Sequence, residues 1–216
     1  MGSTPIPCGG VQLIWHPSPN FGPRKDGGHP RLIVLHYTAM DTAQAAIDRL
    51  CDPEFEVSAH YVIDQMGHIT QLVAEDARAW HAGAGQWGQI TDVNSSSIGI
   101  EMCNRGDHAF PLAQMTALKG LIGDIQTRWA IAPHQVIGHS DMAPGRKKDP
   151  GRWFDWAALA GANLAVFRGD DHPTVLPFLP AAAMFGYGVP DDKAATDMIL
   201  EAFRQRFRPD VSGPIQ

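Results

Sequence analysis

The sequence predicts an α/β domain over residues 1–168, followed by a linker and a short helical tail over residues 169–216. This expectation rests on short apolar runs typical of buried strands, on amphipathic helical stretches between them, and on the loss of this pattern after residue 168. A chain of 216 residues can bury one substantial core, whereas the tail is too short for a core of its own.

The strands are predicted from short stretches of branched residues. Residues 32–35 (LIVL) are fully apolar, as expected of a buried central strand. Residues 60–64 and 68–72 flank a short turn that contains glycine, which predicts a β-hairpin. Two further strands are predicted at residues 97–101 and 136–138.

Helices are predicted from capping residues and from apolar spacing. Thr42 can cap a helix over residues 43–51. Two more are predicted at residues 153–167 and 191–207. The longest, over residues 112–129, has apolar residues at spacings of three and four, namely Leu112, Met115, Leu118, Leu121, Ile122 and Ile125.

The first 30 residues follow neither pattern. Pro, Gly and Asn are frequent there and no period is sustained. We therefore expect an irregular surface segment, with order beginning at Arg31.

Composition excludes two classes of protein. The formal net charge is −6 and the pI is about 5.9, and Lys and Arg are not clustered, so we expect no nucleic-acid partner. No apolar stretch approaches the roughly 20 residues that cross a bilayer, so we expect no membrane span. We expect a monomer.

The cysteines and the N-terminal residues bear on the compartment. Cys8, Cys51 and Cys103 are odd in number and lack paired spacing, which predicts free thiols. The first residues lack the basic and apolar segments of a secretory signal. We therefore expect a cytoplasmic protein; the alternative is the periplasm, if a signal peptide has been removed upstream.

Polar residues follow several of the predicted strands. They are His36, Glu101, His139, Lys147 and Asp149. Two imidazoles and a carboxylate are typical ligands of a catalytic zinc that keeps one position open. A remaining carboxylate and a lysine suit proton transfer and stabilisation of an oxyanion. Each residue taken singly also has a structural interpretation, as a hydrogen-bonded histidine, an edge charge, a loop cation or a turn residue.

Read together, the motifs resemble the type-2 N-acetylmuramoyl-L-alanine amidases, which are related to phage lysozyme amidases and to peptidoglycan recognition proteins. The matching stretches lie between residues 18 and 156, in the order found in the family. They are SPNF (18–21), IVLHYTA (33–39), VSAHY (57–61), AWHAG (79–83), SIGIE (97–101) and IGHSDMAPGRKKDPG (137–151).

The resemblance implies a central mixed β-sheet flanked by helices and a Zn²⁺ ion held by His36, His139 and Asp149. Asp149 stands where the phage and animal relatives usually have cysteine. The implied reaction is hydrolysis of the amide between the lactyl group of (anhydro)N-acetylmuramic acid and L-alanine. Its substrates are peptidoglycan fragments, as in wall recycling, or intact peptidoglycan.

The resemblance also implies roles for residues around the metal. Glu101 and Lys147 match its catalytic residues. Trp80 and His81 match a wall of the substrate cleft, or they belong to a structural aromatic loop. Arg146 and Arg78 could pair with carboxylates of the stem peptide, or Arg146 could only brace its loop. The role of Tyr61, catalytic or packed in the core, stays open.

Alternatives remain for the tail and for the whole chain. The tail resembles part of a helical peptidoglycan-binding module but is too short for three helices, so it is either a truncated module or helix docked on the main domain. A non-catalytic peptidoglycan-binding or sensing protein on the same fold is the main rival function. A zinc peptidase cutting within the stem peptide is the second.

Overall fold

The computed structural model describes residues 13–168, 176–189, 193–211 and 213. It confirms the α/β fold with a central mixed sheet. The six strands of this sheet are β1 (Leu13–Trp15), β3 (Leu32–Tyr37), β4 (Tyr61–Ile63), β5 (Ile69–Gln71), β7 (Ser97–Met102) and β8 (Val136–Gly138). They lie in the order β1-β5-β4-β7-β3-β8, in which β4 and β5 are antiparallel and all other neighbours are parallel. A separate antiparallel pair is formed by β2 (Phe21–Pro23) and β6 (Ala77–Ala79).

Seven α-helices are described, and two of them have the predicted bounds. They are α1 (Ala43–Cys51), α2 (Val93–Ser96), α3 (Leu112–Trp129), α4 (His139–Met142), α5 (Trp156–Gly161), α6 (Phe178–Phe185) and α7 (Lys193–Phe207). Thr42 caps α1 as predicted, because its Oγ1 accepts a hydrogen bond from the Ala45 N–H at 3.1 Å. The apolar face predicted for α3 is buried except at Leu112, the first residue of the helix, which is 79% exposed.

The expectation of an irregular segment before Arg31 is wrong for its described part. Residues 13–15 form β1 and pair in parallel with β5, and Phe21–Pro23 form β2. Asn20 is buried, and its amide donates to the carbonyls of Asp52 and Val57 at 2.8 Å. These bonds reach residues more than 30 positions away, which a local period cannot reveal.

The helix predicted over residues 153–167 is shorter than expected. Asp155 accepts a hydrogen bond from the Ala158 N–H at 2.9 Å and so caps α5, which begins at Trp156. The helix ends at Gly161, and Asn163 has a left-handed backbone with φ of 56°. The predicted tail helix corresponds to α7, and residues 190–192 before it lie outside the described residues.

The central strand β3 alternates between two cores. Ile33 and Leu35 face a cluster that includes the buried side of α3. Leu32 and Val34 face the opposite side, where they pack with Ile137 and with tail residues. The tail residues of this second core are Ala182, Tyr187, Ile199 and Ala202. Helices α6 and α7 thus share a core with the sheet; residues 169–175, in the predicted linker, lie outside the described residues.

Two smaller expectations concern the thiols and the membrane. Cys51 and Cys103 are free, as predicted, whereas Cys8 lies outside the described residues. Within the described ranges, no helix combines the length and apolarity needed to span a bilayer.

Candidate active site

The sheet topology brings the predicted polar residues to one edge. Strands β3, β7 and β8 are parallel neighbours, so their carboxyl ends meet there. His36 on β3 is in register with Glu101 on β7, and partners in register project to the same face. His139 follows the end of β8 as the first residue of α4. The Ser140 N–H donates to the Asp149 carbonyl at 2.8 Å and brings the later loop back beside α4.

Three ligand atoms converge at this edge. The distance from His36 Nδ1 to His139 Nδ1 is 2.8 Å, and each nitrogen lies 2.9 Å from Asp149 Oδ2. All three side chains are buried. Among the described residues, this is the group of His, Cys, Asp and Glu side chains whose geometry could hold a metal ion.

The hydrogen bond on the far side of the His139 ring leaves its Nδ1 atom available to a cation. His139 Nε2 lies 2.8 Å from the Ala82 carbonyl oxygen, which can only accept, so Nε2 carries a proton. His139 Nδ1 and Asp149 Oδ2 lie 2.9 Å apart, and a positive charge between them, either a proton or a metal ion, stabilises this contact. The donor set fits a divalent metal ion.

Burial sets the charge states of these groups. It lowers the pKa of His36 to about 4, and His139 nearby adds to the effect, so His36 is neutral at pH 7. Burial alone would raise the pKa of Asp149, but positive charge on the His139 and His36 side of the carboxylate outweighs it and holds that pKa below its usual range. A neutral His36 and an ionised carboxylate are the protonation states that a metal requires of such ligands.

The environment of Glu101 favours the protonated form of its carboxyl, in contrast to that of Asp149. Burial, with a contribution from the Asp149 charge, raises the pKa of its carboxyl to about 8, although Lys147 acts in the other direction. Its Oε2 atom is buried without a protein hydrogen-bond partner. The carboxyl is therefore mostly protonated at neutral pH in the absence of a metal.

The site opens into a cleft of about 510 Å³. All eight site residues predicted from the sequence line it: His36, Trp80, His81, Glu101, His139, Arg146, Lys147 and Asp149. Arg49 and Lys148 also line it, and the sequence did not predict either. Arg49 lies outside the matching stretches, and Lys148 lies within the last stretch without an implied role. The cleft thus carries four cationic side chains against two carboxyl groups.

Two other residues considered from the sequence lie elsewhere. Tyr61 is buried, and its hydroxyl donates to Glu75 Oε1 at 2.7 Å, which favours the core interpretation of this residue. Arg78 lies 3.5 Å from Asp92 and does not line the cleft. Arg146 does line the cleft, and it also donates to the Ala82 carbonyl at 2.6 Å, so it braces the loop that holds His139.

Comparison with known proteins identifies the family. Residues 26–152 match the family model described as N-acetylmuramoyl-L-alanine amidase. The chain belongs to this amidase family. One amidase relative, AmiD of Escherichia coli, is 34% identical in an alignment that covers 84% of this chain and 76% of AmiD. Another, the 1,6-anhydro-N-acetylmuramyl-L-alanine amidase AmpD of Citrobacter freundii, is 34% identical over 65% of this chain and 84% of AmpD.

Solved structures of amidases share the fold. AmiD from E. coli, in complex with the substrate anhydro-N-acetylmuramic acid-L-Ala-D-γ-Glu-L-Lys, matches with a TM-score of 0.77 at 33% identity. That match covers 86% of this chain and 84% of AmiD. AmpDh3 from Pseudomonas aeruginosa, in complex with anhydromuramic pentapeptide, matches with a TM-score of 0.76 at 33% identity, covering 87% and 86% of the two chains.

Proposed function

We propose that this protein is a zinc-dependent amidase that hydrolyses the amide between the lactyl group of anhydro-N-acetylmuramic acid and L-alanine. The observation that carries the proposal is the convergence of His36, His139 and Asp149 in a cleft that also holds the uncoordinated Glu101. Membership of the amidase family supports the same reaction.

Zinc is the metal that the donor set suits best. Two imidazole nitrogens and one carboxylate oxygen would be the three protein ligands of the ion, a set typical of catalytic zinc sites. A zinc ion held there would supply Lewis acidity, which polarises an amide carbonyl and makes water acidic near neutral pH. The burial of His36, His139 and Asp149 also keeps bulk solvent away from these atoms.

Glu101 and Lys147 take the remaining roles. Glu101 is not among the ligand atoms, and its raised pKa suits a group that accepts a proton from water and returns it to the leaving amine. Lys147 on the cleft wall can stabilise negative charge that develops on the carbonyl oxygen. Trp80, also on the wall, offers an apolar surface to a bound substrate.

The charge of the cleft supports an acidic substrate. Arg49, Arg146, Lys147 and Lys148 surround a site whose ionised acid is Asp149. A stem peptide that contains γ-linked glutamate carries free carboxylates, which arginine and lysine bind through charge-assisted hydrogen bonds. AmiD and AmpDh3 were solved with anhydromuramyl peptides, and we propose the same class of substrate here.

The experiment is incubation of the purified, zinc-loaded protein with anhydromuramyl tripeptide and, separately, with intact peptidoglycan sacculi. Mass spectrometry should show free tripeptide and anhydro-N-acetylmuramic acid, with faster release from the small fragment. Asp149→Asn, which weakens the metal site, is the matched control and should be inactive. Tight binding of the fragment without products would favour the rival non-catalytic binding protein.

A further inference from the structure

His36 makes its second hydrogen bond with another histidine. His36 Nε2 lies 3.0 Å from His81 Nδ1, and the two rings meet edge to face with their centroids 5.0 Å apart. One of these nitrogens must carry a proton and the other a lone pair. The bonds on the far side of His81 decide which.

Ser97 fixes the proton positions along this chain of bonds. Its Oγ lies 2.6 Å from the Val93 carbonyl oxygen, which can only accept, so the serine hydroxyl donates there. The same Oγ lies 3.1 Å from His81 Nε2 and must therefore accept from it. A neutral His81 with its proton on Nε2 has a lone pair on Nδ1. His36 Nε2–H consequently donates to His81 Nδ1. His36 Nδ1 therefore carries no proton and presents its lone pair towards Asp149 Oδ2.

The backbone beside His81 supports the other histidine. The Ala82 carbonyl accepts from His139 Nε2 at 2.8 Å. The N–H groups of His81 and Ala82 both donate to Asn94 Oδ1, at 3.1 Å and 2.8 Å. His81 and Ala82, which are both held by the Asn94 side chain, therefore set the tautomers of His36 and His139.

The His81 ring is also held by packing. It lies against Gly99 so closely that a Cβ atom at this position would come within 2.4 Å of the ring Cγ. Glycine at position 99 lets the imidazole sit on the strand between Ser97 and His36. Only the absence of a side chain allows this approach.

We propose that His81 is a positioning residue of the metal centre, which keeps His36 in the tautomer that binds the ion. The proposal rests on the proposed function, in that the ion it concerns is the zinc of that function. It differs from the role of substrate-cleft wall implied by resemblance, because both ring nitrogens of His81 are engaged by protein groups and neither is available to a ligand. An orienting partner of a metal-bound histidine is commonly worth about 10–100-fold in metal affinity.

The test is the zinc dissociation constant of His81→Leu, measured by competition with a chromophoric chelator. His81→Leu has no acceptor for His36 Nε2–H and should bind zinc about 10–100-fold more weakly than the wild type. His81→Asn keeps an acceptor oxygen near the position of Nδ1 and should recover most of the affinity. His134→Leu, which removes an exposed histidine, is the matched control and should bind zinc as the wild type does.

Two further measurements keep the test independent of folding and of catalysis. Ser97→Ala leaves His81 in place but removes the oxygen that accepts from His81 Nε2–H. It should therefore weaken zinc binding, by a smaller factor than His81→Leu does. In ¹⁵N-edited NMR spectra of the zinc-loaded protein, the His36 Nε2 proton should exchange slowly in the wild type and in His81→Asn, and rapidly in His81→Leu.

Unchanged zinc affinity in a folded His81→Leu, with only a raised KM, would overturn the proposal and restore the substrate-wall role. A wild type that binds zinc but releases no product would overturn the proposed function instead. The two failures are therefore distinguishable.

Discussion

Arg206 on α7 donates to Asp141 on α4 at 2.7 Å, and the two side chains are 2% and 1% exposed. The Tyr187 hydroxyl donates to the other Asp141 oxygen at 2.6 Å. Asp141 lies two residues after His139 in α4. The tail is thus joined by a buried ion pair to the short helix that carries His139.

Loss of this ion pair should destabilise the whole protein. Arg206→Leu leaves the Asp141 carboxylate buried without its cation, and breaking a buried pair in this way costs about 3–5 kcal/mol. Urea unfolding followed by circular dichroism measures the change. The exposed Arg208→Leu on the same chain end is the control and should unfold as the wild type does. Equal midpoints for the two variants would mean that the tail is not fastened through Arg206.

Glu101→Gln should separate metal binding from turnover. The amide cannot take the proton that the carboxylate accepts, so kcat should fall by about 10²–10⁴-fold. Zinc content, measured by atomic absorption after dialysis, should stay at the wild-type level because Glu101 is not a ligand. A variant that lost its zinc would instead place Glu101 among the ligands.

Glu101 should also make the stability of the metal-free protein depend on pH. The pKa of its carboxyl is about 8 in the folded protein against 4.5 ordinarily, so the folded state binds this proton more tightly than the unfolded chain. The resulting stabilisation is complete below pH 4.5 and is lost as the pH rises through about 8. Relative to Glu101→Gln, the wild type should lose about 3–4 kcal/mol of unfolding free energy between pH 5 and pH 8. Urea unfolding in EDTA tests this, and a pH-independent difference would refute the raised pKa.

Tyr61→Phe should affect stability and not catalysis. The Tyr61 hydroxyl donates to Glu75, which also accepts bonds from Arg128 and Trp129. Removal of one hydrogen bond to a buried carboxylate costs about 1–2 kcal/mol of unfolding free energy. kcat and KM for anhydromuramyl tripeptide should be unchanged. A large fall in kcat at normal stability would return Tyr61 to the catalytic machinery.

Local patterns in the sequence predicted the elements whose own residues carry the signal. Helix α3 has its apolar spacing over 18 residues, and the buried strand before His36 is uniformly branched. Strand β1 has three residues and gains its hydrogen bonds from β5, more than 50 positions later, so no local pattern marks it.

In the site as well, local motifs could be read from the sequence, whereas long-range hydrogen bonds could not. The convergence of the two histidines and Asp149 could be predicted because all three stand in stretches that resemble one family. The hydrogen bond between His36 and His81 joins residues 45 positions apart, and the support of His139 comes from the Ala82 backbone, so neither is visible without the fold.

The central claim is tested most directly by hydrolysis of anhydromuramyl tripeptide in H₂¹⁸O. Cleavage of the lactyl amide by water should place one ¹⁸O atom in the lactyl carboxylate of the sugar product and none in the released tripeptide, and chelation of zinc should abolish both products. Appearance of ¹⁸O in a peptide carboxylate, which marks cleavage within the stem, would contradict the account.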